Sequence, residues 1–393
     1  MQHSPRSRLG PGIALGVLSS GVAATATLAT ISVLVSRIIV TPPRHRDDDI
    51  RIRSVDAEAG RIVLTATPET TVPGRYGLWF TRSTGYARLG EILAQDAATV
   101  TRRIDAVVLG DIRGARSGRW SGWYYLTPED LGVPFEDAEV MTAVGPAPAW
   151  VIPAEGDGTR WAVLVHGRGV TRSETLRAVE TLRADGRSLL LVSYRNDGEG
   201  PESSDGRYAL GEREWGDVDA ALGMLRRRGA RDVVLMGWSM GGGIALQTLT
   251  RSRHRDLVSG VVLDSPAIDW RSIVDHQIVT LRRLPALVSR SVRTVIAHPL
   301  FSRAAGLAAP LDWARLDFLR RATELDRPIL VLHSDADDFV PATASRALAA
   351  ARPDIVTYEA FDTAKHTRLW NYDAERWTGA ISAWLTRLPR RHG

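Results

Sequence analysis

From about residue 158 to the C-terminus the chain alternates short apolar runs with stretches of helical period, and few folds accept that pattern. The runs WAVLVH (161–166), SLLLVSY (188–194), DVVLMGW (232–238), GVVLDS (260–265), PILVLH (328–333) and IVTYEAF (355–361) are almost continuously hydrophobic. Strands of this kind are buried on both faces, as they are in a mainly parallel sheet covered by helices. Helices are predicted between them at about 172–184, 212–228, 241–252, 342–351 and 373–388. In the last of these, Trp377, Ile381, Trp384, Leu385 and Leu388 recur at helical spacing and mark a core-facing stripe. The alternation breaks between 271 and 326, where Pro285, Pro299 and Pro310 punctuate a segment expected to be mostly helical. Inserted after a strand, it is either a lid over a site at the sheet edge or a packed helical excursion.

The part before residue 158 follows other rules. Pro11 to Ser36 contains no charged residue. At about 1.5 Å per helical residue, that stretch can cross a hydrocarbon core about 30 Å thick. A cleaved signal peptide with Ala24-Thr25-Ala26 near its processing site is one reading. The uncharged stretch exceeds the usual apolar segment of such peptides, so a single-pass membrane anchor over 11–40 is expected, after a tail at 1–10. Arg6 and Arg8 precede it, whereas Arg37, Arg44 and Arg46 follow, so flanking charge does not orient it. Residues 41–150 then read as a linker and a β-rich region, with IRIRSV, RIVLTAT, RYGLWF, TRRIDAVVLG and GWYYLT as strands between turn signals. Its four tryptophans, Trp79, Trp120, Trp123 and Trp150, are expected in core and interface packing. Residues 151–393 form the α/β unit, with the possible lid at 271–326.

Composition excludes several classes. The net charge is +5, Lys365 is the single lysine, and the arginines are scattered apart from short clusters such as Arg226-Arg227-Arg228. A nucleic-acid binder concentrates its basic residues on one face, so no nucleic-acid partner is expected. With no cysteine in the chain, disulfides and thiolate metal sites are excluded.

The chemistry concentrates around VVLMGWSMGGGIAL (233–246). Ser239 stands between Gly237 and Gly241, after a strand and before a helix. A serine on such a tight turn is lifted clear of the sheet, and bulkier neighbours would collide with the strand and helix beside it. The turn also brings the Met240 N–H and the helix N-terminus near a developing negative charge. A nucleophilic serine needs a base, and the base needs an orienting acid, here expected in the order Ser, Asp, His. Asp337 follows PILVLH in HSDADDFVP, with Asp335, Asp338 and Asp264 as neighbouring alternatives. His366 follows IVTYEAF in DTAKHTRLWN and alone among the histidines combines that order with a strand end. After the first α/β strand, His166-Gly167-Arg168-Gly169 places the Arg168 N–H as a second oxyanion donor. His166, Tyr194, Arg195 and Asn196, at strand ends on the same edge, are candidate pocket residues. Salt bridges and turn caps explain Tyr194, Arg195 and Asn196 equally well.

These segments carry a resemblance. HGRG, GWSMGG, HSDADDFVP and the late His366 resemble the α/β-hydrolase superfamily over roughly residues 150–390. YRNDGEGPESSDGRYALGEREWGDVDAAL, LDSPAIDW and HTRLWN further resemble bacterial, often membrane-anchored serine hydrolases near the prolyl oligopeptidase-like and acyl-esterase groups. Ser334 departs from the glycine that often follows the histidine there. The resemblance implies the fold, a Ser239–His366–Asp337 triad and hydrolysis without a metal or organic cofactor. For an anchored member it implies a catalytic part outside the cytoplasm. The expected substrate is a small acyl ester or thioester, with an apolar acyl pocket supplied by the insert. A peptide substrate, acyl transfer, or a binding protein that has lost its chemistry are the alternatives.

Overall fold

The computed structural model of the chain describes residues 11–43, 47–156 and 158–389, with side chains from Thr25 onward. The chain divides into two compact units. One comprises residues up to Thr41 together with Val274–Leu311; the other comprises Pro42–Ile273 and Asp312 onward.

The larger unit begins with a closed barrel of six strands: β1 (Ile50–Asp56), β2 (Arg61–Thr65), β3 (Tyr76–Phe80), β4 (Gly85–Gln95), β5 (Thr99–Leu109) and β6 (Ser117–Ser121). Their order is β1-β2-β5-β4-β3-β6, and every pairing is antiparallel. Period-two alternation turns Ile50, Ile52, Ile62, Leu64, Leu78, Leu89 and Val100 into one apolar core. Closure leaves no unpaired edge. Arg102 is fully buried in this barrel. Its Nε donates to the Thr70 carbonyl at 3.0 Å, and Nη1 donates to Gly74 at 3.0 Å and Gly90 at 2.8 Å. Nη2 donates to the Val72 carbonyl, and the guanidinium lies over the rings of Tyr76 and Trp120. Burial draws its pKa down to about 10, still charged at neutral pH. One arginine thus satisfies four carbonyls that the strand ladders leave over.

Two expectations for this region need correction. β4 has no counterpart among the predicted strands, because several register shifts against β5 interrupt its alternation. GWYYLT is not a strand: β6 lies just before it, and Tyr124 and Tyr125 instead pack against Trp370.

The barrel leads into an eight-stranded sheet made of β7 (Glu136–Thr142), β8 (Gly145–Ile152), β9 (Arg160–Val165), β10 (Ser188–Val192), β11 (Asp232–Trp238), β12 (Val258–Asp264), β13 (Ile329–Ser334) and β14 (Val356–Phe361). The order is β14-β13-β12-β11-β9-β10-β8-β7. From β10 to β14 all pairings are parallel, while β7 and β8 pair antiparallel. These two strands belong to the sheet, so the α/β part starts near residue 136 and not at 151. Helices at Trp215–Arg227, Met240–Arg251, Thr343–Ala351 and Ala374–Leu385 fall close to their predicted places. The tryptophan stripe of the last one is core: Trp377, Ile381, Trp384 and Leu385 are buried with Trp238, Leu332 and Phe361.

In the smaller unit the helix Pro11–Val40 packs along the helix Ala286–Ala297. Arg37 Nε donates to the Ala304 carbonyl at 2.8 Å. Among the described residues no helix is long and apolar enough to cross a membrane. The side chains of 11–24, nearly half of the expected anchor, lie outside the described residues, as does the tail at 1–10. The expected lid at 271–326 is not one body, because 274–311 belongs to this unit and 312–326 to the larger one.

Replacing Arg102 with Leu leaves four buried carbonyls without their donor. At about 1–3 kcal/mol per unsatisfied group, partly relieved by relaxation, a loss of about 3 kcal/mol or more is expected. Denaturant unfolding followed by tryptophan fluorescence measures it; a change below about 1 kcal/mol would remove Arg102 from its organising role.

Candidate active site

The site is assembled at the C-terminal ends of parallel strands. β11 ends at Trp238, and Ser239 follows with φ 50° and ψ −117° before the helix Met240–Arg251 begins. Such a conformation is costly for a residue with a Cβ and persists only where its surroundings enforce it. Here the enforcement is steric. A Cβ on Gly237 would sit 2.3 Å from the Gly241 carbonyl oxygen, and one on Gly241 would sit 2.1 Å from that of Val165. The helix can therefore approach β9 and β11 only through these glycines.

Ser239 Oγ lies 2.9 Å from His366 Nε2, and His366 Nδ1 lies 2.7 Å from Asp337 Oδ2. The carboxylate next to Nδ1 makes that nitrogen the donor, so the Nε2 lone pair faces the serine hydroxyl. Asp337 Oδ1 accepts the N–H groups of Phe339 and Val340 at 3.0 and 2.8 Å. His333 Nε2 lies 3.2 Å from Asp337 Oδ2 and 2.9 Å from the Val340 carbonyl, two acceptors that assign it the proton. Burial pushes the Asp337 carboxyl up, but His366 and His333 more than offset it and hold it well below the usual carboxylate range. For His366, burial pulls the pKa down. The Asp337 carboxylate, with Glu174 and Asp264 adding to it, raises it above the ordinary histidine value.

The alternative acids are engaged elsewhere. Asp335 pairs with Arg346, and Asp338 pairs with Lys365 at 3.3 Å. Asp264 is buried and accepts from Trp377 Nε1 and Ser265 Oγ, both at 2.9 Å. In the HGRG turn, Gly167 N–H donates to Glu174 Oε2 at 2.8 Å and Gly169 N–H to Tyr208 Oη at 3.3 Å. Arg168 lies between these two anchored residues, and its guanidinium covers the Tyr208 ring.

A cavity of about 1060 Å³ opens over Ser239 and His366, lined by residues of the larger unit. One wall is the turn at Gly167–Val170 with Glu174 and Phe339. The barrel and its flanks contribute Arg82, Arg119, Trp120 and Trp123 with Asp47, Asp48 and Glu69 to the lining. Two of the tryptophans expected only in packing thus border the cavity. Of the insert expected to supply an apolar acyl pocket, the described residues that belong to this unit, 271–273 and 312–326, do not line the space.

The four candidate pocket residues are likewise absent from that lining. His166 is buried, with Nε2 3.0 Å from Asp197 Oδ2 and its ring stacked on Tyr194. Tyr194 Oη donates to the Gly167 carbonyl at 2.8 Å. Arg195 grips Asp217 through Nε and Nη2, and Asn196 Nδ2 donates to Ser203 Oγ and the Arg207 carbonyl. They build the floor beneath the HGRG turn and the loop after β10.

Sequence reasoning missed Glu174 and the seam between barrel and histidine loop. Arg368, two residues after His366, pairs with Glu69 of the barrel region. Asn371 Nδ2 donates to the carbonyls of Arg75 at 2.8 Å and Gly122 at 2.9 Å. Arg177 Nη1 donates to the Thr367 carbonyl at 2.7 Å and Asn371 Oδ1 at 3.1 Å. The polar residues of HTRLWN were the available signal, but their partners lie some 250 to 300 residues earlier in the chain.

Comparison with known proteins gives two family matches. A model described as the alpha/beta hydrolase family matches residues 162–380, over half of the chain, and a domain of unknown function (DUF8805) matches 51–121, the barrel. An uncharacterized membrane protein of Saccharomyces cerevisiae, YNL320W, is 28% identical over 167 residues, covering 41% of this chain and 56% of that protein. The chain therefore spans little more than half the length of that relative. The Pyrococcus furiosus esterase Pf2001 superposes with a TM-score of 0.52 at 18% identity, over 67% of this chain and 94% of the esterase. A second crystal form of it gives 0.51 at 19% identity, over 67% and 96%. At such identity the likeness is one of fold.

Proposed function

The chain belongs to the alpha/beta hydrolase family, and we propose that within it this protein is a serine hydrolase acting on carboxylic esters or thioesters. The observation that carries the reading is the relay from Ser239 Oγ through His366 to Asp337, open to a cavity at its serine end. Ser239 Oγ attacks the acyl carbon while His366 Nε2 takes the hydroxyl proton. The N–H groups of Met240 and Arg168 receive the oxyanion. The bond to the leaving oxygen or sulfur then breaks as His366 returns the proton to it. Water, deprotonated by the same nitrogen, attacks the acyl-enzyme, releases the acid and restores Ser239. The ionic lining, with Arg82, Arg119 and Arg168 near Asp47, Asp48 and Glu69, favours a substrate with a polar or charged half over a long alkyl chain.

We propose further that residues 11–40 anchor the protein in a membrane, supported by the uncharged run from Pro11 to Ser36. Retention of the full-length protein in membranes through an alkaline carbonate wash is the expected result; recovery of a shortened soluble form speaks against it.

A tagged fluorophosphonate is expected to label Ser239 in the full chain, with the label lost in Ser239→Ala and His366→Ala. Ester turnover should vanish with Ser239→Ala and fall about 10³–10⁴-fold with Asp337→Asn. Folded protein that neither labels nor turns over an ester and thioester panel would leave the binding-protein reading. Turnover of peptides in place of esters would leave the peptidase.

The base works only when neutral. Because the His366 pKa is raised, kcat/KM should fall as pH drops through a value above the usual 6.5. Glu174→Gln removes one of the negative charges that raise it, so that limb should move to lower pH. A shift to higher pH would contradict the assigned electrostatics.

A further inference from the structure

Outside the catalytic cavity, the surface departs most from an ordinary globular exterior in the smaller unit. Among the described residues, seven of the twelve large hydrophobic side chains that stand exposed belong to it, although it holds about a fifth of the chain. The helix Ala286–Ala297 buries Val288, Val292, Val295 and Ile296 on one face and leaves Leu287 exposed with Arg290 and Thr294 on another. The turn that follows is ordered. Phe301 and Ser302 N–H groups donate to the His298 carbonyl at 3.1 and 2.9 Å, and the His298 ring stacks on Phe301. That turn holds Leu300 75% exposed and Phe301 49% exposed, where collapse onto a core would have hidden them.

Charge in the same segment is one-sided. Val274–Leu311 carries Arg282, Arg283, Arg290, Arg293 and Arg303 against the single Asp275, whereas the whole chain has a net charge of only +5. Asp275 is itself paired with Arg293 at 2.7 Å. Exposed leucine and phenylalanine interspersed with arginine match the two layers of a bilayer surface: apolar tips enter the acyl boundary, and guanidinium groups meet lipid phosphates. The segment also packs on the helix that contains the uncharged run, which exposes Leu34 and Ile38 one turn apart. A protein partner would fit the apolar tips, but it does not account for an excess of positive charge beside a helix whose run from Pro11 to Ser36 is uncharged.

We propose that Val274–Leu311 is a membrane-contact surface that docks on anionic bilayers. It stands apart from the hydrolytic chemistry and adds a lipid-headgroup contact to whatever hold the Pro11–Val40 helix has.

The absence of cysteine makes the test direct. Single cysteines replace Leu287, Leu300 or, as a control on the barrel, the exposed Glu58, in the full chain; each carries an environment-sensitive fluorophore. The protein is mixed with phosphatidylcholine vesicles, with or without phosphatidylglycerol, and with nitroxide-bearing lipid as quencher. Labels at 287 and 300 are expected to shift to the blue and be quenched on phosphatidylglycerol vesicles, while the label at 58 stays aqueous. Changing Arg282, Arg283, Arg290 and Arg303 to Gln should raise the phosphatidylglycerol needed for half the signal several-fold, with an unchanged melting curve as the folding control. Labels at 287 and 300 that behave like that at 58 would overturn the proposal. So would an equal response on neutral vesicles, or the same blue shift without vesicles as protein concentration rises, which would indicate self-association.

Discussion

The geometry around Ser239 rests on one close approach, that of the helix Met240–Arg251 to the strands β9 and β11. A single methyl group on Gly241 would overlap the Val165 carbonyl oxygen, and one on Gly237 would overlap that of Gly241. With both side chains absent, the helix starts so near the sheet that Ser239 must take a left-handed turn. The strain of that turn is offset by packing around it: Trp238, Met240 and Ile244 are fully buried, and Ser239 N–H donates to the Asp264 carbonyl at 3.0 Å. The position of Ser239 is thus a property of the sheet and helix together.

His366 is positioned differently. His366 lies on a loop, where precision has to come from tethers. Asp337 holds its ring from one side, and the residues after it are tied to the barrel through Glu69, Arg75 and Gly122. The barrel serves two purposes here. It fastens the loop that carries His366, and it lines part of the cavity over Ser239. Arg102 connects these purposes to stability, because the carbonyls it satisfies at Thr70, Val72 and Gly74 lie in the segment that meets the histidine loop.

Much of this was legible in advance. The buried parallel strands announce themselves as unbroken apolar runs, and the elbow as a serine between glycines at a strand–helix junction. Asp337 and His366 follow from strand ends and chain order. Less was legible where the signal is not local. β4 hides behind bulges that break its alternation. β7 and β8 precede the run of parallel strands, yet β8 pairs with β10 of the sheet and β7 pairs with β8. Tyr194, Arg195 and Asn196 sit at the right edge, but their side chains are drawn down to partners inside the protein.

The sequence by itself determined the class of fold and the hydrogen-bonded relay of Ser239, His366 and Asp337, because hydrophobic period, glycine placement and strand-end position are local properties with one inexpensive structural solution. Only the tertiary structure decided what surrounds that relay: the barrel as a wall, the charged lining, and the division of the expected lid between two units. The physical reason is that a cavity wall is made by residues distant in the chain whose side chains meet across space. The sequence places no mark on such a pair as Glu69 and Arg368 until folding brings them together.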